Sequence, residues 1–206
     1  MRAKRPFAVL VLLAATSAGA DDEWTVYELL APESHRFAIT YDVSVTEPGA
    51  RVFLNPVRAG SVSTGERVLW RRTGQELKFT LIKGAQARKE GLAASDVKDD
   101  ALFIRVELPE PVPRGAETRL RILKTYADPK SYFAEGDRIV FDRGLSIRRN
   151  VIVLPAGYEL IGSAAPGIVS TEADGRVRVS FVNDRDDDMP VRLVGRRLPA
   201  PAAERR

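Results

Sequence analysis

The residues with the most evident chemical potential lie in FDRGLSIRRNVIVLPAGY, residues 141–158. This stretch contains one acid and three arginines, Asp142, Arg143, Arg148 and Arg149. In a catalytic interpretation Asp142 would act as a base and the arginines would hold an anion, because a planar guanidinium suits an anionic group. The alternative is that all four are solvated charges at strand ends, where an ion pair contributes little stability. We interpret the stretch mainly as architecture and keep the four residues as candidates for recognition of a partner.

Hydrolytic chemistry would have to use His35, the only histidine in the sequence. A serine nucleophile commonly lies in a G-x-S-x-G turn, but Ser61 and Ser63 lie in AGSVSTG, which lacks that spacing. A zinc site with several His or Cys ligands is impossible, because the sequence has one His and no Cys. A hydrolase that uses His35 or carboxylates therefore stays an alternative hypothesis.

Carboxylates at alternate positions, Asp184, Asp186 and Asp188, lie in the segment NDRDDDMP. Oxygen donors crowded into a loop can bind Ca²⁺, but three of them leave most of a shell of about six to eight ligands unfilled. The alternative is a charged hairpin connection, which discourages aggregation at a sheet edge. We predict no metal site and keep a Ca²⁺-dependent adhesion module as an alternative.

A glycan-binding site would need an aromatic platform, and a glycoside hydrolase would need a pair of carboxylates. Trp24 and Trp70 could supply the platform, but large aromatic side chains belong more often to the core. Asp99 and Asp100 are adjacent in a loop, which does not indicate two carboxyl groups facing each other across a cleft. The sequence also lacks a glycine-rich phosphate loop and a dinucleotide fingerprint, so we predict no cofactor.

Alternation of apolar and polar residues with a period of two dominates the chain, and this pattern is typical of half-buried strands. Strongly alternating segments occupy residues 37–45, 102–108, 120–126 and 177–181, with shorter strand candidates at 24–30, 51–57, 66–71, 76–83, 138–141, 150–154, 158–161 and 191–195. Only residues 85–97 could form a short helix. The pattern predicts an all-β fold, an antiparallel β-sandwich with little helix, built as one large or two small immunoglobulin-like sandwiches.

Two local predictions concern the segment 141–158. Gly144 is expected to permit a reversal of the backbone between two strands. Residues 151–154 are apolar at every position, which predicts a central strand buried on both faces.

The segment LPEPVPRGAE, residues 108–117, is the most proline-rich part of the body and suggests a boundary between two halves. We therefore expect a signal peptide at 1–20, β-sandwich halves at 21–110 and 111–198, and a disordered tail at 199–206. The alternative is a long hairpin loop within one large sandwich, because single all-β domains also reach this length.

Residues 1–20 have the three parts of a secretory signal: a basic head, an apolar run and the small residues AGA before Asp21. The apolar run is shorter than the roughly 20 residues that a spanning helix needs, so we predict cleavage and a mature chain without a membrane span. The absence of cysteine fits a bacterial envelope better than a eukaryotic extracellular module. We therefore expect an exported protein of the bacterial periplasm, the cell envelope or the extracellular space.

The formal net charge of +4 comes from the two ends of the chain. The signal contributes three positive charges and the tail from Arg196 a net +3, which leaves residues 21–195 at −2. Nucleic-acid binding needs clustered positive charge on one face, so the composition argues against it. The basic tail could contact an anionic surface.

A hairpin resemblance adds to this interpretation. The segment LFIRVELPEPVPRGAETRLRILKTYADP, residues 102–129, resembles a hairpin in the all-β amino-terminal domain of gluzincin aminopeptidases. Residues 149–158, with an R-N-V-x-x-L-P-x-G-Y pattern, are similar to lumenal β-domains of ribophorin-type proteins. The peptidase motif H-E-x-x-H is absent, since Arg36 follows His35. The resemblance implies an exported, non-catalytic β-sandwich module that binds a protein or cell-envelope partner.

Overall fold

The computed structural model describes residues 23–199, and nearly all of the regular secondary structure within them is β-strand. The all-β fold with little helix is therefore confirmed. The predicted signal peptide, and the predicted tail apart from Pro199, lie outside the described residues. In chain order the strands are β1 (Trp24–Leu29), β2 (Arg36–Val45), β3 (Val52–Val57), β4 (Val62–Trp70), β5 (Phe79–Lys83), β6 (Leu102–Glu107), β7 (Thr118–Ala127), β8 (Tyr132–Glu135), β9 (Arg138–Leu145), β10 (Arg149–Val153), β11 (Tyr158–Ser163), β12 (Ile168–Thr171), β13 (Val177–Val182) and β14 (Met189–Arg197); a 3-10 turn (Pro32–Ser34) follows β1 and helix α1 (Gly84–Lys89) follows β5.

These strands form three sheets within the described range. The large sheet has seven strands in the order β12-β13-β10-β1-β2-β7-β4. The four-stranded sheet has the order β11-β14-β9-β8, and the three-stranded sheet has the order β3-β6-β5. Neighbouring strands are antiparallel except for β1 and β10, which run parallel. No helix between residues 23 and 199 combines the length and the apolar character needed to cross a membrane.

The large sheet contains strands from both sides of the proline-rich segment at 108–117. Strands β1, β2 and β4 precede this segment, whereas β7, β10, β12 and β13 follow it. The division into two halves stays a prediction. Any such division has to account for a sheet to which both halves contribute strands.

A common hydrophobic core joins the three sheets, with buried side chains from each of them in one cluster. Aromatic rings form its centre: the rings of Tyr27 and Phe37, on the large sheet, lie 5.7 and 5.6 Å from the ring of Phe141, on the four-stranded sheet. The alternation of strands β2, β7 and β9 directs their apolar residues into this core. The smaller sheets therefore pack against one face of the large sheet, as a β-sandwich requires.

Strand β10 is central and buried on both faces, as the run of apolar residues predicted. Ile152 is fully buried in the main core. Val151 and Val153 are each 2% exposed and pack with Val26 in a second, smaller cluster. This prediction is confirmed because β10 has a neighbour on each side, β1 and β13.

Three local features differ from the sequence predictions. Helix α1 occupies only the first part of the segment 85–97, in which a short helix was possible, and it ends at Lys89 because Gly91 adopts a φ of +69° just beyond it. Strand β8 has only four residues, which is too short for a clear alternation. Strand β12 was missed because all four of its residues are exposed, so it has no buried face to impose a pattern.

Gly144 does not form the predicted reversal. Strand β9 continues through it to Leu145, and Gly144 pairs with Pro190 of β14. A Cβ atom at this position would lie 2.8 Å from Oδ2 of Asp188. Glycine is therefore used here for the close approach of a neighbouring side chain within a strand.

Candidate functional site

The four candidate recognition residues lie in different environments. Asp142 and Arg143 are consecutive in β9, so their side chains point to opposite faces of the sheet. Asp142 is exposed and accepts a hydrogen bond from Nη1 of Arg192 at 2.6 Å. Arg148 and Arg149 are exposed at the start of β10. The structure does not bring the four together, and their role in binding a partner stays a prediction.

Arg143 is an internal residue, and the interpretation of it as a solvated charge is wrong. It lies on the inward face of β9 and is 7% exposed. Its Nη1 lies 3.3 Å from Oδ2 of Asp128. Its guanidinium carbon lies within 5.5–5.7 Å of the ring centres of Tyr27, Phe37 and Tyr126, where cation–π attraction offsets part of the cost of burial.

Asp128 is held ionised by an array of donors. Ser131 donates from its hydroxyl at 2.8 Å and from its backbone N–H at 3.1 Å, and Ser61 donates at 2.9 Å. Burial alone would raise the pKa of Asp128, but these hydrogen bonds and the charge of Arg143 outweigh it and lower the pKa. Asp128 and Arg143 therefore form a buried ion pair in which each charge has a counter-charge.

A second buried cation, Lys124, lies on the inward face of β7 between Ile122 and Tyr126. It is 7% exposed. Its Nζ donates a 2.5 Å hydrogen bond to Oδ1 of Asn55 and lies 5.0 Å from the ring centre of Tyr126. Both contacts are with neutral groups, and no carboxylate between residues 23 and 199 lies within 4.0 Å of this nitrogen.

A β-bulge in β4 faces Lys124. The pairing with β7 slips between Thr64 and Arg67, so that Gly65 and Glu66 together lie opposite it. Gly65 has a φ of +68°, as in the bulge type that begins with a left-handed glycine. The Oε1 atom of Glu66 is buried and has no hydrogen-bond partner in the described structure.

Burial is the main influence on the charge of Lys124. Together with the nearby positive charge of Arg143, it lowers the pKa of Lys124 to about 8, while Glu66 acts in the opposite direction. Burial likewise lowers the pKa of Arg143. At neutral pH the folded protein therefore contains a buried, charged lysine, which lowers its stability.

Both cations line a cavity of about 230 Å³ between the sheets, which we call the inter-sheet pocket. The share of one water molecule in the liquid is about 30 Å³, so the cavity has room for a small organic group. All three sheets contribute to its walls, which are formed by Thr25, Tyr27, Ile39, Tyr41, Asn55, Pro56, Arg58, Lys124, Tyr126, Arg143, Ser146 and Ile147. Hydrogen-bond donors and aromatic rings dominate this set, and none of its members is a carboxylate or an imidazole.

The hydroxyl of Thr25 is an unsatisfied polar group in the pocket wall. Thr25 is 2% exposed, and its Oγ1 has no hydrogen-bond partner in the part of the chain that the structure describes. Buried polar groups normally have partners, so each exception calls for an explanation.

Lys124 was not among the candidate residues predicted from the sequence. The signal was present, because Leu120, Ile122 and Tyr126 alternate with period two and Lys124 occupies the inward position among them. A cation at an inward position of an otherwise apolar strand face indicates a buried charge.

The other candidate residues lie outside the inter-sheet pocket. His35 ends the 3-10 turn with a φ of +52°, and its Nδ1 donates to the carbonyl oxygen of Tyr132 at 3.1 Å. Ser61 is bound to Asp128, as described above. Trp70 belongs to the main core, whereas Trp24 is partly buried against the smaller cluster. Asp99 and Asp100 are exposed.

The three carboxylates of the calcium hypothesis are also exposed. Asp184, Asp186 and Asp188 follow β13, and the neighbouring Asp187 is engaged by Arg185. Between residues 23 and 199, no group of three or more His, Cys, Asp or Glu side chains is arranged to hold a metal ion. The geometry gives the calcium hypothesis no support.

Comparison with solved structures relates this architecture to one class of protein. Over 84% of its length the chain superimposes on the crystal structure of an M1 zinc metallopeptidase from Deinococcus radiodurans, with a TM-score of 0.50 and 13% sequence identity. A mutant of an M1 zinc metallopeptidase from the same organism gives the same values. The chain shares its β fold with part of these enzymes. The predicted resemblance to gluzincin aminopeptidases is thus confirmed as a likeness of fold.

This likeness covers only part of the enzymes. The chain corresponds to 41% of the length of each metallopeptidase chain. No protein-family model matches the sequence, and no curated protein matches it. The resemblance to ribophorin-type lumenal domains stays a prediction.

Proposed function

We propose that this chain is a non-catalytic, exported β-sandwich module that binds a protein or cell-envelope partner. The observation that carries the proposal is the inter-sheet pocket, in which Lys124 and Arg143 are both buried around one cavity. A buried charge without a counter-charge, such as that of Lys124, reduces the stability of the folded protein. Strongly perturbed ionisable groups in a cleft are typical of functional sites.

The composition of the pocket favours binding over catalysis. Its walls offer ammonium, guanidinium, amide and hydroxyl donors. A hydrolytic site needs a nucleophile and a base within hydrogen-bond reach of each other, and neither His35 nor a pair of carboxylates lines this cavity. Binding of an electron-rich group is therefore the activity that the pocket supports best.

The likeness of fold to the metallopeptidases is compatible with this function. The whole enzymes are named for a zinc-dependent activity, whereas the sequence of this chain contains one histidine and no H-E-x-x-H motif. A β-module can retain a scaffold while its function depends on the particular site that it carries.

Partner binding is tested by capture from a cell-envelope extract on the immobilised chain. We expect one protein or envelope component to be retained in stoichiometric amount by the wild type and by Lys89→Met, a variant that removes an exposed lysine from helix α1. Lys124→Met should retain at least tenfold less. Equal recovery of every component on all three columns, or none on any of them, would contradict the proposed function.

A further inference from the structure

Among the described residues, one buried positive charge in the wall of the inter-sheet pocket has no ion-pair partner. Arg143 is neutralised by Asp128, which is 3.3 Å away and equally buried. Between residues 23 and 199, the ammonium of Lys124 makes a hydrogen bond to Asn55 and a cation–π contact with Tyr126, both neutral groups. Glu66 offsets part of the charge from a distance, but it is not within ion-pair contact of Lys124. A third cation in the wall, Arg58, is exposed and donates to the carbonyl oxygen of Gly144. Because the buried ammonium of Lys124 has no counter-ion, an anionic group is the ligand that it would stabilise best.

The sheet register separates two polar residues of the pocket wall. Lys124 pairs with Ile39 of β2, whereas Thr25 of β1 pairs with Tyr41 of β2. Lys124 and the unpartnered Thr25 thus lie two strands apart, which is about 10 Å at the usual strand spacing. An occupant that reaches both must have an organic body, which a bare inorganic ion lacks.

The surface between these two polar residues is apolar. Ile39 and Tyr41 form the floor on β2, and Tyr27 borders it on β1. Such a surface favours an aromatic or aliphatic body, because burial of apolar area stabilises the complex.

We infer that the inter-sheet pocket binds an organic carboxylate, with the carboxylate at Lys124, an apolar body over Ile39 and Tyr41, and a polar end at Thr25. Free aromatic or aliphatic acids and the carboxyl terminus of a peptide both present this chemistry. The inference rests on the proposed binding function and names the chemical group that is bound.

The test is isothermal titration calorimetry at pH 7 with the purified chain and 4-hydroxybenzoate as probe. We expect saturable binding that is at least tenfold weaker for 4-hydroxybenzamide, which has the same shape without the charge. Inorganic phosphate should bind more weakly than the carboxylate. Equal binding of the amide, or tighter binding of phosphate, would overturn the assignment.

Protein variants distinguish a binding role from a structural one. Lys124→Met should reduce affinity at least tenfold, whereas Lys89→Met, the matched loss of an exposed lysine, should leave it unchanged. Thr25→Val should lower affinity several-fold without lowering the melting temperature, because it removes a hydroxyl that has no hydrogen-bond partner among the described residues. Full affinity in Lys124→Met would overturn the inference.

A titration with a peptide identifies the source of the carboxylate. N-acetyl-alanyl-tyrosine is compared with its carboxamide under the same conditions. Tighter binding of the peptide acid supports a chain terminus as the natural occupant, and tighter binding of 4-hydroxybenzoate supports a free acid. Partner capture without carboxylate binding would overturn only this inference, whereas carboxylate binding without capture would overturn only the proposed partner function.

Discussion

Lys124 combines a position typical of the core with the chemistry of the surface. It is placed by the alternation of β7, between two residues that contribute to the main core. Its hydrogen bond to Asn55 satisfies one donor of the ammonium group but does not supply a counter-charge. The buried charge therefore lowers the free energy of unfolding, as is common where function and stability compete.

The lowered pKa of Lys124 predicts a specific dependence of stability on pH. Between its folded pKa of about 8 and the ordinary value of 10.5, the unfolded chain binds more protons than the folded chain, so stability rises with pH. Relative to Lys124→Met, the wild type should gain about 2 kcal/mol in unfolding free energy between pH 7 and pH 9.5. Urea melts at both pH values measure this difference.

The pH range of this comparison has an upper limit, which is set by two buried tyrosines. Burial raises the pKa values of Tyr27 and Tyr126, and their titration above pH 10 acts in the opposite direction. The measurement therefore stops at pH 9.5, and both proteins contain these tyrosines. A difference between wild type and variant that does not change with pH would show that the lysine is not desolvated.

Arginines that are close in sequence should differ sharply in their effect on stability. Arg143→Met would leave Asp128 buried without its counter-charge and should reduce the unfolding free energy by about 3 kcal/mol or more. Arg148→Ala removes an exposed side chain and should cost less than about 1 kcal/mol. Urea melts of both variants at pH 7 provide the measurement, and equal effects would contradict the buried position of Arg143.

Strand β10 is the element that joins the two clusters of apolar side chains. Its parallel pairing with β1 and antiparallel pairing with β13 place it inside the large sheet. Ile152 faces the main core, while Val151 and Val153 face the smaller cluster. Because both faces are covered there, residues 151–153 are all apolar, as in strands buried on both sides.

A change from an apolar side chain to Asp should therefore lower the unfolding free energy much more in the centre of the large sheet than at its edge. Ile152→Asp would bury a carboxylate within the main core and should cost more than about 3 kcal/mol. Ile168→Asp makes the same change in β12, where the side chain is 74% exposed, and should cost less than about 1 kcal/mol. If thermal or urea melts ranked the two variants in reverse order, the assignment of β10 as central would be wrong.

Most strands could be predicted from the sequence because one buried face imposes a period of two. The segment from Phe37 to Val45 shows this pattern clearly, and its observed burial alternates residue by residue. Strand β12 gave no such signal, since it is exposed throughout. The sheet order and the inter-sheet pocket depend on contacts between distant segments, such as Lys124 with Asn55, which local patterns do not encode.

The distribution of charge over the chain separates its ends from its body. The formal net charge of +4 arises from the two termini, and residues 21–195 carry −2. Within this slightly acidic body the pocket concentrates two buried cations and an arginine at its rim. A local positive site in such a body attracts a small anion without promoting general binding to nucleic acid.

Export is predicted from residues 1–20 and is tested by the mass of the secreted chain. Cleavage after Ala20 should give a protein that begins at Asp21, because small residues precede that position. Intact-mass spectrometry of the protein from a periplasmic fraction measures this directly. Recovery of the chain in membranes with Met1 retained would contradict the prediction.

The central claim is that the inter-sheet pocket is a binding site with Lys124 as the counter-ion of a carboxylate. The most direct measurement is a crystal structure with 4-bromobenzoate, located by the anomalous signal of bromine. We predict a bromine peak within the pocket and a carboxylate oxygen within hydrogen-bond distance, about 2.7–3.2 Å, of Nζ of Lys124. A bromine peak elsewhere on the protein, with an empty pocket at a saturating concentration, would contradict the claim.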